Sequence, residues 1–149
     1  MNETIIPMSI DYLDECVNLY VEVFNRNPWN EAWSYDTAHE RLSDLLYTPK
    51  FKGFLLRSPE KAIGFIAGHC KSSSFGTTFY LAEVCISHEF QGKGYGSKLL
   101  RYLEIDLLDK KVNSIYLLTS TEGSVEEFYR RNMYIPNPER MVMKKKLGN

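Results

Sequence analysis

Apolar positions recur along this chain in two rhythms, and the change of rhythm divides it into elements. Thr4-Ile5-Ile6-Pro7-Met8 predicts a short first strand. Leu13, Val17, Tyr20, Val21 and Phe24 then repeat at helical spacing behind Ser9, a candidate cap, predicting a helix that ends near Asn25–Asn27. After an aromatic-rich turn, Pro28-Trp29-Asn30-Glu31-Ala32-Trp33, Ser34 can cap a second helix through Ala38, Leu42, Leu45 and Leu46, with Pro49 just past its stop. From Phe51 the pattern becomes β-rich. Phe51–Arg57, Ala62–Lys71 and Thr77–Ser87 predict three consecutive antiparallel strands, separated by Ser58-Pro59-Glu60-Lys61 and Ser72-Ser73-Ser74-Phe75-Gly76. Leu99, Leu100, Leu103 and Leu107 place an apolar stripe on a helix to about Asp109. Ser114–Ser120 predicts a strand, Ser124 to about Arg131 a helix with Val125 and Phe128 inward, and Met141–Leu147 a final strand. The expectation is a single α/β domain over 1–149, without repeats or a linker.

Between the third long strand and the Leu-striped helix lies Gln91-Gly92-Lys93-Gly94-Tyr95-Gly96-Ser97. A glycine-rich turn feeding a helix can cradle phosphate, because first-turn N–H groups lack intrahelical partners and sit at the positive end of the helix dipole. The spacing lacks the last glycine of the dinucleotide fingerprint and the Gly-Lys-Ser/Thr ending of a P-loop, so both common nucleotide readings fit poorly.

Composition narrows the field. The chain has 149 residues, enough to bury roughly two-thirds of the surface its unfolded form exposes. A formal charge of −1 gives no global bias toward nucleic acid or membrane, and the Lys144-Lys145-Lys146 run is read as a solvated strand or tail. Cys16, Cys70 and Cys85 are odd in number and widely spaced, which suits reduced thiols in a cytoplasmic protein. His39, His69 and His88 show no metal-binding spacing, so no metal is expected. No apolar run approaches the ~18–20 residues of a membrane span.

The strand ending Glu83-Val84-Cys85-Ile86, the turn Gln91-Gly92-Lys93-Gly94-Tyr95-Gly96 and the amphipathic helix after it resemble the acetyl-CoA signature of the GNAT N-acetyltransferases, Arg/Gln-x-x-Gly-x-Gly/Ala. Phe128-Tyr129-Arg130-Arg131-Asn132-Met133-Tyr134 resembles that family's Phe-Tyr-x-x-x-Gly-Phe segment, and the element order matches along nearly the whole chain. The chain departs from the pattern at Met133, where the family usually has glycine, and at Glu122, where many members carry asparagine. The resemblance implies a mixed, mostly antiparallel sheet flanked by helices and splayed between the fourth and fifth strands. It implies acetyl-CoA as cosubstrate, with the pantetheine arm along the main chain of Val84, Cys85 and Ile86. The pyrophosphate would lie on Gln91, Gly92, Lys93, Gly94, Tyr95, Gly96 and Ser97, with Lys93 also read as a solvated side chain.

Acetyl transfer from a thioester to an amine needs a neutral nucleophile, close approach, stabilisation of the oxyanion and a proton for the leaving thiolate. By the motif match Tyr129 is the candidate general acid, set against the reading of a packed aromatic among 10 tyrosines. Glu83 stands alone among apolar residues and needs either a polar cleft or a partner, so it is read as a base or as a structural ion pair with Arg57, Lys71 or another basic group. His88 is read as a surface-turn histidine and Cys85 as packing. Trp29, Trp33 and Tyr35, interleaved with Glu31 and Asp36, form either an acceptor wall or an inter-helix plug.

The expected activity is direct acetyl transfer to a primary amine of a small molecule, aminoglycoside- or polyamine-like, or of a peptide. The rivals are a catalytically inert acetyl-CoA-binding or interaction module and a nucleotide phosphate binder. A strand edge near the C-terminus is a place where two subunits can pair as a homodimer, although the lysine run discourages it.

Overall fold

The computed structural model describes residues 2–148. They fall into two compact units divided between Leu118 and Thr119. In the first, strands β1 (Thr4–Pro7), β2 (Phe51–Arg57), β3 (Ala62–Ser73), β4 (Gly76–Ile86) and β5 (Ser114–Leu117) form one sheet in chain order. The junctions from β1 to β4 are antiparallel. The last is parallel, because helix α3 (Tyr95–Asp109) carries the chain back between β4 and β5. The fold is therefore the mixed, mostly antiparallel sheet flanked by helices that the resemblance implies.

Two helices, α1 (Leu13–Phe24) and α2 (Tyr35–Leu46), pack against each other and against the sheet. Cys16, Val17, Tyr20 and Val23 of α1 share a core with Ala38 and Leu42 of α2 and with Leu55, Phe65, Ala67 and Cys85 of the sheet. Leu99, Leu100, Leu103 and Leu107 are the buried stripe of α3, which packs on β2, β3 and β4. Each buried side chain of this size contributes about 1.5–3 kcal/mol. Ser34 caps α2 as expected, in a reciprocal box with Thr37: its hydroxyl accepts from the Thr37 N–H and the Thr37 hydroxyl accepts from the Ser34 N–H, each at 3.1 Å. Ser9 does not cap α1. Its carbonyl instead closes a tight turn, accepting from the Tyr12 N–H at 3.1 Å, so the α-helix begins only at Leu13.

One irregularity organises the sheet. Ala67 pairs with Glu83 but Gly68 pairs with Leu81, so Ala82 is an extra residue on β4. Such a bulge bends the strand and sharpens its twist. Gly68 permits it: a Cβ there would lie 2.0 Å from the Tyr80 carbonyl oxygen. The last β5 partner, Leu117, faces Leu81, the residue immediately before the bulge. That is why β5 stops at Leu117 rather than at Ser120, and Leu118 is left exposed.

In the second unit, α4 (Ser124–Arg131) is the only regular element among the described residues. The predicted final strand over 141–147 is absent: Met141, Val142, Met143 and Leu147 are all at least 72% exposed. Alternating side chains make a strand only where a neighbouring strand completes the ladder, and the subunit-pairing edge expected from that strand is likewise not formed. The end of α4 is well defined. The Tyr134 N–H donates to the Tyr129 carbonyl at 2.9 Å and the Met133 N–H to the Arg130 carbonyl at 3.0 Å, with the Tyr129 and Tyr134 rings 5.8 Å apart. This is the Schellman termination, whose position after the cap takes a left-handed backbone. Met133 occupies it at φ 71°, and Glu122, before α4, has φ 61°. Both departures from the family pattern thus fall where the backbone favours glycine or asparagine.

Met133→Gly removes the left-handed penalty, about 1–2 kcal/mol, against an unfolded-state entropy cost of about 0.4–1 kcal/mol. The Met133 side chain is 86% exposed, so little packing is lost. We expect a net gain of roughly 0.5–1 kcal/mol in denaturant unfolding; an unchanged or lowered midpoint would show that the methionine makes a contact worth more than the strain.

Candidate active site

β4 has two edges at residues 83–86. One pairs with β3 through Ala67↔Glu83, Ile66↔Val84, Phe65↔Cys85 and Gly64↔Ile86. The other has no strand partner among the described residues, since β5 ends opposite Leu81. Val84, Cys85 and Ile86, the residues expected to meet the pantetheine arm, lie on this free edge, which therefore has backbone groups available to an extended ligand.

The free edge runs into the glycine turn. A short 3-10 turn, His88–Phe90, follows β4, and the Gln91 side chain donates to the Ile86 carbonyl at 2.9 Å, tying the turn to the strand end. One N–H of the Gln91 amide group is thus engaged within the chain. Gly92 and Gly94 have φ of 74° and 87°, and a Cβ at either would meet no atom within 4 Å. Their lack of side chains thus answers to backbone conformation and to open space, not to crowding. Gly94 is the N-terminal flank of α3 and brings no side-chain cap, leaving the N–H groups of Tyr95 and Gly96 at the open end of a 15-residue helix. These residues fit a pyrophosphate. Lys93 is exposed, with its ammonium 5.8 Å from the Phe90 ring centroid. Tyr95 packs edge-on to Phe90 at 5.7 Å and its hydroxyl bonds Glu3, which pushes its pKa up. Ser97 lies one residue further into the first turn of α3.

Glu83 is the buried carboxylate of the unit, 8% exposed. Its partner is neither Arg57, which binds Glu15, nor Lys71, which donates to the Tyr116 hydroxyl. Arg41 of α2 donates Nε to Glu83 Oε2 at 2.8 Å, and the Tyr20 hydroxyl of α1 donates to the same oxygen at 3.4 Å. Burial pushes the Glu83 carboxyl above its usual range, and Arg41 and Tyr20 hold it back only in part. Burial, with the Glu83 charge added, raises the Tyr20 hydroxyl strongly, so it stays a donor. Neither Arg41 nor Tyr20 stands out in the sequence as a functional residue. The one available signal was the isolated carboxylate itself, which calls for a cation without saying which.

The aromatic segment divides. Trp29 packs edge-on against Phe24 at 4.9 Å, as a core plug. Trp33 meets Tyr20 at 5.2 Å, donates Nε1 to Glu31 at 2.8 Å and lies under the Arg41 guanidinium at 5.4 Å, joining the Glu83 cluster. Tyr35 belongs to a separate group, donating to Asp14 at 2.6 Å. His88 is half-buried rather than on the surface, and its Nε2 has no partner among the described residues. Cys85 is fully enclosed and its thiol is pushed well up by burial, while Cys16 rises to about 12, so neither is a ready nucleophile. Tyr129, on α4 of the second unit, is half-buried and stacks edge-on with Phe128 at 5.0 Å.

Among the described residues no group of His, Cys, Asp or Glu is placed to hold a metal, and no helix is long and apolar enough to cross a membrane. The family model described as "Acetyltransferase (GNAT) family" matches residues 13–133. A possible acetyltransferase from Clostridium difficile 630 superposes with TM-score 0.83 at 16% identity, covering 99% of this chain and 100% of its own. A putative acetyl transferase from Pyrococcus furiosus gives 0.75 at 21% identity, covering 98% and 100%. The aminoglycoside N-acetyltransferase AAC(6')-Iy in complex with CoA gives 0.74 at 16% identity, covering 97% and 95%. Among curated proteins nothing matches.

Glu83→Gln reproduces the protonated shape. Because the fold raises the Glu83 pKa, its contribution to stability is fully present below about pH 4.5 and is lost as the pH climbs through the raised value. The glutamine variant lacks that loss, so its stability relative to wild type should rise between pH 4 and pH 7 in denaturant melts. Arg41, with half of its side chain exposed, stays hydrated when its partner is neutralised. A relative stability that falls over the same interval would mean that the ion pair outweighs desolvation.

Proposed function

The chain belongs to the GNAT family of acetyltransferases, and from that premise we propose that it uses acetyl-CoA to acetylate a primary amine of a small molecule or peptide by direct transfer. The observation that carries this reading is the continuity of the free β4 edge at residues 83–86 with the open glycine turn at the start of α3. The family match across residues 13–133, spanning both units, supports treating 1–149 as one working domain.

In this reading the main chain of Val84, Cys85 and Ile86 holds the pantetheine arm as an added strand would be held. Gly92, Lys93, Gly94, Tyr95, Gly96 and Ser97 receive the pyrophosphate, and Gln91 braces the turn through its bond to the Ile86 carbonyl. The cosubstrate supplies an activated acetyl group. A backbone N–H from Val84 or a neighbour polarises the acetyl carbonyl. Glu83, its pKa raised by burial, takes the proton that the amine must lose, directly or through water. Tyr129, assigned by its motif, gives a proton to the leaving thiolate. Direct transfer is favoured because Cys85, the one thiol on the edge, is sealed in the core with a raised pKa.

The structural neighbour AAC(6')-Iy, an aminoglycoside N-acetyltransferase found in complex with CoA and with the bisubstrate analogue CoA-S-monomethyl-acetylneamine, supports an amine acceptor. The test is a panel of amines with acetyl-CoA, reading free CoA with a thiol reagent. Release that depends on the amine supports transfer. CoA binding by calorimetry with no release from any amine would identify an inert binding module instead. Tyr129→Phe should lower kcat by roughly 10–10³-fold with CoA affinity unchanged. A folded Phe variant with full kcat would assign Tyr129 to packing and leave the thiolate's proton to solvent.

A further inference from the structure

Glu83 does not face the acceptor side alone. Arg41 bonds it through Nε, the inner nitrogen of the guanidinium, and half of the Arg41 side chain is exposed. No partner is found for its two outer nitrogens among the described residues, and its Cζ lies 5.4 Å from the centroid of the Trp33 ring. A guanidinium beside an aromatic ring and held at Nε by a carboxylate leaves its outer N–H groups as a planar fork, the geometry that binds a carboxylate through two parallel bonds.

The surface beside it continues the same polarity. In a regular strand Tyr80 and Glu83, three residues apart, would point to opposite faces; the extra residue Ala82 returns them to one. Arg41 accordingly interacts with both. Tyr80 lies opposite His69 on β3 and Tyr116 on β5, with ring centroids 5.7 and 5.1 Å away. Lys71, two residues beyond His69, reaches the Tyr116 hydroxyl at 2.5 Å. The floor next to Glu83 is therefore aromatic and carries Arg41 and Lys71. Of the acids at this site, Glu83 is bound by Arg41 and Glu31 by the Trp33 indole. An acceptor bearing several ammonium groups would meet those two cations. An acceptor with one ammonium and one carboxylate would complement both ends.

We propose that the acceptor is an amino-acid-like zwitterion, its amine delivered to Glu83 and its carboxylate held by the outer N–H groups of Arg41. This rests on the acetyl-transfer reading above and sets the acceptor apart from polycationic amines. Arg41 is then a specificity residue, and its effect is separable from its hold on Glu83 because only the carboxylate-bearing acceptor uses the fork.

The experiment compares twin amines that differ only in the carboxylate: L-phenylalanine with 2-phenylethylamine, and L-lysine with 1,5-diaminopentane. Each is assayed with acetyl-CoA for thiol release and titrated calorimetrically into the CoA-loaded protein. One bidentate charge-assisted contact should give the carboxylate twin at least about tenfold higher kcat/KM or affinity in at least one pair. Arg41→Gln should bring that ratio near one, whereas damage passed through Glu83 lowers both twins together and leaves the ratio standing. Preference below about threefold in both pairs, or preference that survives Arg41→Gln, overturns the proposal. Absence of thiol release from every amine contradicts acetyl transfer, and in that case the titrations still decide whether the fork selects a carboxylate.

Discussion

The arrangement depends on where β4 loses its second neighbour. Parallel pairing with β5 holds from Thr78 to Leu81, the next residue is extra, and from Glu83 onward β3 is the one strand partner among the described residues. The bulge bends and twists β4 just beyond its last pairing with β5, and Gly68 makes room for it because any side chain there would collide with the Tyr80 carbonyl. A gap inside a sheet ordinarily leaves backbone groups unpaired at a cost of about 1–3 kcal/mol each where they are buried. Here the gap opens beside a helix N-terminus whose Tyr95 and Gly96 N–H groups meet no side-chain cap. The strand edge without a β5 partner and the uncapped helix start therefore follow one another along the chain, the arrangement on which the proposed cofactor site rests.

The same bulge determines the charge arrangement. It brings Glu83 onto the face of Tyr80 and His69, against α1 and α2, where Tyr20 and Arg41 reach it. Burying a carboxylate costs several kcal/mol unless it is paired, and Arg41 pairs it without being buried itself. The result is a carboxylate shielded from water on the sheet side and bridged by a guanidinium that still reaches solvent, and in the proposed reading proton acceptance and acceptor recognition meet at this one pair of side chains.

Much of this was legible in the residue pattern. Strand and helix periods locate every element from β1 to α4, most plainly α1 and α3, which bury one apolar stripe and so carry its period in the sequence. The glycine turn is legible because close backbone approach and positive φ favour glycine. Glu83 is legible as an anomaly in an apolar strand. Arg41 is not, since it lies 42 residues away on another element and only the fold brings it to Glu83. The bulge at Ala82 is silent because β4 itself carries no local marker there. The strand expected over 141–147 fails for the opposite reason: alternation was present, but no neighbouring strand completes it. The departures at Met133 and Glu122 turn out to mark left-handed backbone.

The most direct test of this account is amide hydrogen exchange with and without CoA. In the free protein, the amides at 83–86 that do not bond to β3 should exchange faster than those at 78–81. CoA should slow them, together with Tyr95 and Gly96, by at least about tenfold. CoA bound by calorimetry with no change at these amides would contradict the account and place the cofactor elsewhere.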